Sequence, residues 1–153
     1  MKNILRHNVI MLVVITFFVL KFVSFTFYND FWWDSAVYIG MGKYIYSLGN
    51  AGLWEDSRPV VWPLMLGFFW KIGLDAALAG GILETIVGSL CILMTYAIGK
   101  RLFDKKTAFL SSMFLAFSPT FFFFNGIMLT EIISTFFSLV AIYFLIKRSH
   151  LMS

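Results

Sequence analysis

The chain has 153 residues, of which 60% are hydrophobic and 13% are charged, against about 25% charged residues in an ordinary soluble domain. This composition excludes a soluble globular domain and predicts an integral membrane protein. The formal net charge is +4, but the basic residues lie in short clusters beside apolar runs, as membrane topology signals do, so nucleic acid is not expected as a partner.

The first apolar run, residues 9–27, is long enough to cross a membrane once. A spanning helix needs about 20 apolar residues, because each adds about 1.5 Å toward a hydrocarbon layer of about 30 Å. Lys21 lies late enough in the run to reach toward the far interface. A cleaved signal peptide is the alternative. Because the run exceeds the usual apolar core of about 7 to 15 residues and no small-residue cleavage pattern follows, we expect an uncleaved anchor.

Residues 28–75 are predicted to form a loop that carries two helices at the membrane surface. Asp34 is expected to cap the first helix, because a carboxylate accepts free backbone N–H groups at the positive end of the helix dipole. An apolar stripe at helical spacing makes this helix amphipathic: Val37, Met41, Tyr44 and Leu48. Pro59 is expected to begin the second helix, and the apolar run 59–70 is too short to span.

Three more spans are predicted, at residues 76–98, 108–124 and 127–146. Asn125 and Gly126 form a strong turn signal, which makes the last two spans a tight hairpin. Pro119 predicts a kink in the third span, because proline removes a helical hydrogen bond. The four phenylalanines at 121–124 are expected to face lipid or the fourth span, with a groove for an isoprenoid tail as the alternative.

The basic residues orient these spans. With four spans, one side of the membrane holds most of them: Lys2, Arg6, Lys100, Arg101, Lys105, Lys106, Lys147 and Arg148. The positive-inside rule makes that side cytoplasmic, so both termini are expected in the cytoplasm and the loop 28–75 on the exoplasmic side. A fifth span at 59–70 would break this agreement. The predicted fold class is therefore an all-α, multi-pass integral membrane protein with four transmembrane helices and two juxtamembrane amphipathic helices in the first outward loop.

Asp34 and Arg58, in this outward loop, indicate a chemistry. A carboxylate can take a proton from a hydroxyl, and an arginine beside a helix N-terminus suits a phosphate. Together the two side chains fit a reaction between a lipid-borne phosphate and a water-borne hydroxyl. The alternative is that Asp34 only caps its helix.

Two acidic residues lie in the predicted spans. Glu84 is well inside the second span, where a charge costs about 2.5 to 3.5 kcal/mol on insertion scales, so it is expected to face the bundle interior. A hydrogen-bonded structural role and a functional role, such as the proton site of a small transporter, both stay open. Glu131 starts the fourth span, where an acid either complements the helix dipole or faces the loop site.

Cysteine and histidine are too scattered to indicate a metal site. Cys91 is the single cysteine and lies inside an apolar run, while His7 and His150 lie near opposite ends of the chain. The sequence therefore predicts neither a disulfide nor a metal site built from these residue types.

The ordered combination of segments carries a resemblance to a known family. One span is followed by WWDSAVYIGMGKYIYSLG, a short turn, SRPVVWPLMLGFFWKIG, a second span, a basic loop and a tight pair of spans. This order resembles the N-terminal part of the C-superfamily glycosyltransferases (GT-C). Within them it is similar to the dolichyl-phosphate-mannose protein mannosyltransferases and their prokaryotic relatives, including the lipid A aminoarabinose transferases.

The resemblance implies a membrane glycosyltransferase of the hexosyltransferase type. Such enzymes transfer a sugar, with inversion, from a polyprenyl or dolichyl phosphate to a hydroxyl acceptor on protein, lipid or glycan. By matching position, Asp34 corresponds to the loop aspartate that serves as general base, and Tyr38 lines the same site. Arg58 corresponds to the basic residue that contacts the lipid phosphate, and Glu131 to an acidic residue at the outer start of the fourth span.

The chain also departs from the family. Some relatives carry a glutamate before the basic residue that helps to build a metal site, and Ser57 stands there instead, with Glu55 or Asp56 as substitutes. No cofactor is therefore assigned, and a divalent metal stays an open alternative. Because family members have more spans, we expect residues 1–153 to be one membrane domain from the N-terminal portion of a larger fold. The open alternatives are a catalytically silent fragment and an accessory subunit whose partner chain supplies the missing spans.

Overall fold

The computed structural model describes residues 2–27 and 32–149, with side chains described from residue 9 onward except at residues 26 and 149. Residues 28–31 of the predicted loop lie outside the described residues, as does His150. The side chains of Lys2, Arg6 and His7 are likewise outside the description.

The described residues form seven helices and no strand, so the predicted all-α class is confirmed. The helices are α1 (Lys2–Phe27), α2 (Trp33–Tyr46), α3 (Val61–Lys71), α4 (Ala76–Leu102), α5 (Lys105–Ala116), α6 (Pro119–Phe124) and α7 (Glu131–Ser149). Helix α4 lies at the centre and packs against α1, α3, α5 and α7.

Helix α4 is long and apolar enough to cross a membrane. It begins after Asp75, whose side chain accepts a hydrogen bond from the backbone N–H of Leu78 at 2.8 Å. Helix α1 contains a shorter apolar stretch, Val9–Phe25. Within the described ranges no other helix has both the length and the hydropathy of a span, so the four predicted spans are not confirmed.

The predicted third span is broken into two helices. Helix α5 ends at Ala116 and, with 12 residues, is about 18 Å long. Pro119 starts the separate helix α6, which Ser118 caps by accepting from the backbone N–H of Phe121 at 3.4 Å. The expected kink is therefore a full break, because proline cannot continue the hydrogen-bond ladder and the serine before it can start a new helix. Helix α7 also begins later than predicted, at Glu131.

Residues 125–130 between α6 and α7 form a loop that is bonded to α4; we call it the α6–α7 loop. Its turn is built on Gly126, with φ of 95°, as the Asn-Gly signal predicted, and Met128 also has a positive φ of 63°. Glu84 of α4 is fully buried, and its Oε2 accepts from the backbone N–H groups of Gly126 at 2.8 Å and Met128 at 2.7 Å. The buried acid of the second span thus has a hydrogen-bonded role in the fold.

Lys21 does not reach the far interface as predicted. Lys21 is only 7% exposed, and its Nζ lies 4.7 Å from the ring centroid of Phe122 in α6. Because the broken third span turns α6 toward the end of α1, an aromatic ring covers the lysine that was expected to extend to the headgroups.

Helices α2 and α3 cross where two glycines meet. A Cβ added to Gly42 would lie 2.5 Å from the carbonyl oxygen of Pro63 and 2.6 Å from the backbone nitrogen of Gly67. The first half of the predicted apolar stripe packs in this contact, since Val37 and Met41 are buried, whereas Tyr44 and Leu48 are exposed. The close crossing fixes the start of α2 beside the segment that leads into α3.

Gly42→Ala is expected to destabilise the protein by about 1 to 3 kcal/mol, the usual cost of overpacking, because the clashing atoms are backbone and cannot move aside. Gly40→Ala is the matched control, since a Cβ there would meet mainly the side chain of Leu53, which can shift. Thermal unfolding in detergent would measure both. Equal unfolding midpoints for the two variants would contradict the close crossing.

Candidate functional site

Asp34 lies in the first turn of α2 but does not cap it. The N-cap residue is Trp32, and no side chain bonds to the free N–H groups there. Helix α3 likewise begins at Val61 and not at Pro59. The predicted cap at Asp34 is wrong because its carboxylate is turned toward a side chain of the following loop segment.

That side chain is Arg58, which joins two carboxylates. Its Nη2 lies 2.7 Å from Asp34 Oδ1, and its Nε lies 3.0 Å from Glu55 Oε2. A guanidinium has five donors in a planar fork, so it can hold two acids at once and still have N–H groups to spare. The expected proximity of Asp34 and Arg58 is therefore observed, with Glu55 as an additional partner.

Tyr38 completes this group, one helical turn after Asp34. The guanidinium carbon of Arg58 lies 5.4 Å from the centroid of the Tyr38 ring, within the range of a cation–π contact. Hydrogen bonds to Asp34 first, and then to Tyr38 and Glu55, raise the pKa of Arg58 above its usual value. The arginine consequently keeps its positive charge at every physiological pH.

The group is open to solvent on one side. The side chain of Asp34 is 42% exposed, that of Glu55 is 36% exposed, and that of Arg58 is 24% exposed. Exposed ion pairs of this kind contribute little to folding, because solvent screens them and the long side chains must be ordered. Within the described part of the chain Asp34 Oδ2 makes no hydrogen bond, so one carboxylate oxygen is available to a ligand.

Glu131, the remaining predicted site residue, is not brought into this group. It is the exposed first residue of α7 and forms no ion pair with any residue in the described ranges. The loop just before it does contact the site helices. Trp62 of α3 donates from its Nε1 to the carbonyl oxygen of Met128 at 2.8 Å.

The side chains of the described residues do not form a ready metal site. Nowhere in ranges 2–27 and 32–149 do three His, Cys, Asp or Glu residues come together. Asp34 and Glu55 both bond to Arg58, which balances their charges in part, and Asp56 accepts a hydrogen bond from the indole Nε1 of Trp54. Within the described residues, these three acids are therefore already bonded to Arg58 or to Trp54.

A cleft of about 990 Å³ lies beside the site, between the end of α1, the start of α4, and α6 with the loop after it. Its wall is mainly apolar and includes Phe122, Phe123 and Phe124, while the buried Lys21 lines its floor. Trp32, two residues before Asp34, packs edge-on against two of these rings, with centroids 5.9 and 6.1 Å away. The cleft thus borders the start of the helix that carries Asp34.

Sequence reasoning did not assign three of the residues that build this region. Glu55 was considered only as a metal ligand, although its spacing of three from Arg58 fits an ion pair. Ser35 is fully buried, and its Oγ donates to the carbonyl oxygen of Ile127. Trp62 is 1% exposed, and its Nε1 donates to the carbonyl oxygen of Met128. The partners of Ser35 and Trp62 lie 92 and 66 residues further along the chain, so local patterns carry no signal for them.

The fold and this group of side chains define a helical membrane protein with an arginine-bridged acidic site on the segment between α1 and α4. A family model described as dolichyl-phosphate-mannose-protein mannosyltransferase matches residues 57–150. The chain belongs to this family of membrane glycosyltransferases, and the resemblance read from the sequence is confirmed. Arg58, Glu84 and Glu131 lie within the matched segment, and Asp34 and Tyr38 precede it. Searches of curated proteins and of solved structures found no match.

Proposed function

We propose that this protein acts in the transfer of a sugar from a polyprenyl or dolichyl phosphate to a hydroxyl acceptor on protein, lipid or glycan, with inversion at the anomeric carbon. The family supports the class of donor. The observation that carries the proposal is the contact of 2.7 Å between Arg58 and Asp34, which puts a fixed positive charge beside a partly free carboxylate.

The proposed step forms one bond and breaks one. The acceptor hydroxyl oxygen bonds to the anomeric carbon while its proton passes to Asp34 Oδ2, and the bond from the anomeric carbon to the phosphate oxygen breaks. The electron pair leaves with the phosphate. Arg58 stabilises the negative charge that grows on it, since donors fixed in advance are effective where charge develops in the transition state. Tyr38 orients the guanidinium, and Glu131 is assigned to substrate binding at the outer end of α7.

We further propose the four-span topology, with the loop on the exoplasmic side. The basic residues at the C-terminal end of α4 support it, because Lys100 and Arg101 are exposed in its last turn and match the cytoplasmic signal. Three carboxylates lie on the N-terminal side of α4. Asp75 caps the start of α4, and Asp34 and Glu55 lie in the segment between α1 and α4. A lipid-linked donor embedded in the outer leaflet would then meet Arg58 at the membrane surface.

The experiment that tests the function uses the full chain in its native membranes. Radiolabelled mannose on a polyprenyl phosphate is supplied, and labelled acceptor is measured together with its anomeric configuration. An inverted product that depends on the chain supports the proposal. Retention of configuration, or equal transfer in membranes that lack the chain, would contradict it.

The cleft is proposed to hold the isoprenoid tail of the donor. Its volume of about 990 Å³ and its phenylalanine wall suit an apolar chain, and Trp32 links that wall to the helix of Asp34. Leu78→Trp is expected to raise KM for the lipid donor about 10-fold and to leave kcat near the wild-type value. The reason is that Leu78 lines the cleft, is half exposed, and a larger side chain there fills the cleft without disturbing a core.

Leu90→Trp is the matched control, because Leu90 lies on the same helix, is 38% exposed and does not line the cleft. Initial rates at varied donor concentration measure both variants. A donor KM that is the same for Leu78→Trp and Leu90→Trp would remove the cleft from donor binding.

A further inference from the structure

Glu84 is the most deeply buried acidic residue in the described part of the chain, with a relative exposure of 0%. It does not touch Asp34 or Arg58. Its Oε2 instead accepts two backbone N–H groups of the α6–α7 loop, and its backbone carbonyl accepts from Asn125 Nδ2 at 3.0 Å. One residue of α4 therefore binds three residues of this loop, Asn125, Gly126 and Met128.

The same loop is bonded on its other side to the helices of the site. Its carbonyl groups at Ile127 and Met128 accept from Ser35 Oγ and from Trp62 Nε1. Ser35 follows Asp34 directly, and Trp62 lies four residues after Arg58 in the chain. Hydrogen bonds therefore run from Glu84 to the α6–α7 loop, and from Ile127 and Met128 of this loop to the helix that carries Asp34 and the helix that follows Arg58.

Without Glu84 the loop would lose hydrogen bonds that stabilise its conformation. Met128 has a φ of 63°, a left-handed conformation that residues other than glycine rarely adopt, and its N–H is one of the two groups that Glu84 holds. A backbone N–H group in this buried region would lose its only acceptor if the carboxylate were removed. The bonds to Glu84 therefore select the conformation in which the two loop carbonyls point at Ser35 and Trp62.

We propose that Glu84 is a positioning residue: by holding the α6–α7 loop it sets the relative position of Asp34 on α2 and Arg58 before α3. The expected effect of Glu84 on sugar transfer rests on the proposed function. Its expected effect on the relative position of α2 and the segment before α3 does not. Residues that hold a reacting pair in place act mainly on turnover, because a displacement of about 1 Å can cost about 100-fold in rate. Glu84 itself touches neither donor nor acceptor.

The first test compares two substitutions at this position. Glu84→Gln keeps a carbonyl oxygen that can accept from both N–H groups, and the other oxygen, Oε1, makes no hydrogen bond within the described residues. Glu84→Gln is expected to keep kcat within about 3-fold of wild type. Glu84→Ala removes the acceptor and is expected to lower kcat at least 10-fold with donor KM changed less than 3-fold. Equal kcat for Glu84→Ala and wild type would overturn the proposal.

Ser89→Ala is the matched control on the same helix, since it also removes a buried side-chain hydrogen bond, but one that stays within α4. Its kcat is expected within 2-fold of wild type. A loss equal to that of Glu84→Ala would mean that any damage to α4 has the same effect, which would overturn a specific role for Glu84.

Two further variants keep the test valid should Glu84→Ala fail to fold. Ser35→Ala and Trp62→Phe each remove one donor to the loop, and Ser35→Ala makes the smaller change in packing. Each is expected to lower kcat several-fold with little change in donor KM. An unchanged kcat in both would show that the loop does not position the pair and would overturn the proposal.

A distance measurement separates this proposal from the proposed function. Spin labels at Ser57→Cys and Ser134→Cys, both exposed positions, are introduced with Cys91→Ser so that they alone react. A narrow distance distribution is expected for the wild-type and Glu84→Gln backgrounds, and a broader or shifted one for Glu84→Ala. The same distribution in all three would overturn the proposal. A shift accompanied by no sugar transfer in any background would support positioning by Glu84 and contradict the proposed function alone.

Discussion

Asp34→Asn is expected to lower kcat for sugar transfer by about 10²- to 10⁴-fold, the usual contribution of a general base. The amide keeps an oxygen that can accept from Arg58, so the contact at 2.7 Å and the fold are retained. What is lost is the ability to take the acceptor proton. Steady-state transfer of labelled sugar from a polyprenyl-phosphate donor measures the effect.

Asp56→Asn is the control for this variant. Asp56 is an exposed acid of the same loop that accepts from the indole Nε1 of Trp54, and an asparagine can accept in the same way. Its transfer rate is expected to equal that of the wild type. A comparable loss in both variants, or no loss in Asp34→Asn, would remove Asp34 from the chemistry.

Arg58→Gln is expected to lower kcat by about 10²- to 10³-fold, as the removal of one group that stabilises developing negative charge does elsewhere. Arg58→Lys is expected to recover only part of the loss. An ammonium keeps the charge but lacks the planar fork with which the guanidinium bonds to Asp34 and Glu55 together. Unfolding temperature should change little in either variant, because the ion pairs are exposed.

Lys71→Gln serves as the matched control, since it removes an exposed cation at the other end of α3. Its kcat is expected near the wild-type value, because it is remote in sequence from the acidic pair and forms no ion pair within the described ranges. If Lys71→Gln and Arg58→Gln lowered kcat equally, the effect would come from net charge at the membrane surface and not from phosphate contact.

Much of the helical architecture could be predicted from the sequence, because it depends on local patterns. The apolar runs indicated α1 and α4, and the Asn-Gly pair indicated the turn with positive φ at Gly126. The family was also recognisable from the order of segments. These features need only hydrophobic periodicity, turn preference and segment order.

Other features depend on contacts between distant parts of the chain and could not be predicted. The break at Pro119 was expected only as a kink, since whether a proline bends or ends a helix is decided by its neighbours. The burial of Lys21 follows from where α6 turns, and the partners of Glu84 lie 42 and 44 residues away. Asp34 looked like a helix cap because Arg58, its true partner, is 24 residues further along.

The central claim is that Asp34 and Arg58 work as one unit on a lipid-linked sugar, and a double-mutant cycle in single-turnover transfer tests it most directly. Residues that act together in catalysis have effects that do not add. The combined variant Asp34→Asn, Arg58→Gln is therefore expected to lose about as much rate as the worse single variant. A combined loss equal to the product of the two single losses would mean that the residues act independently, and would contradict the account.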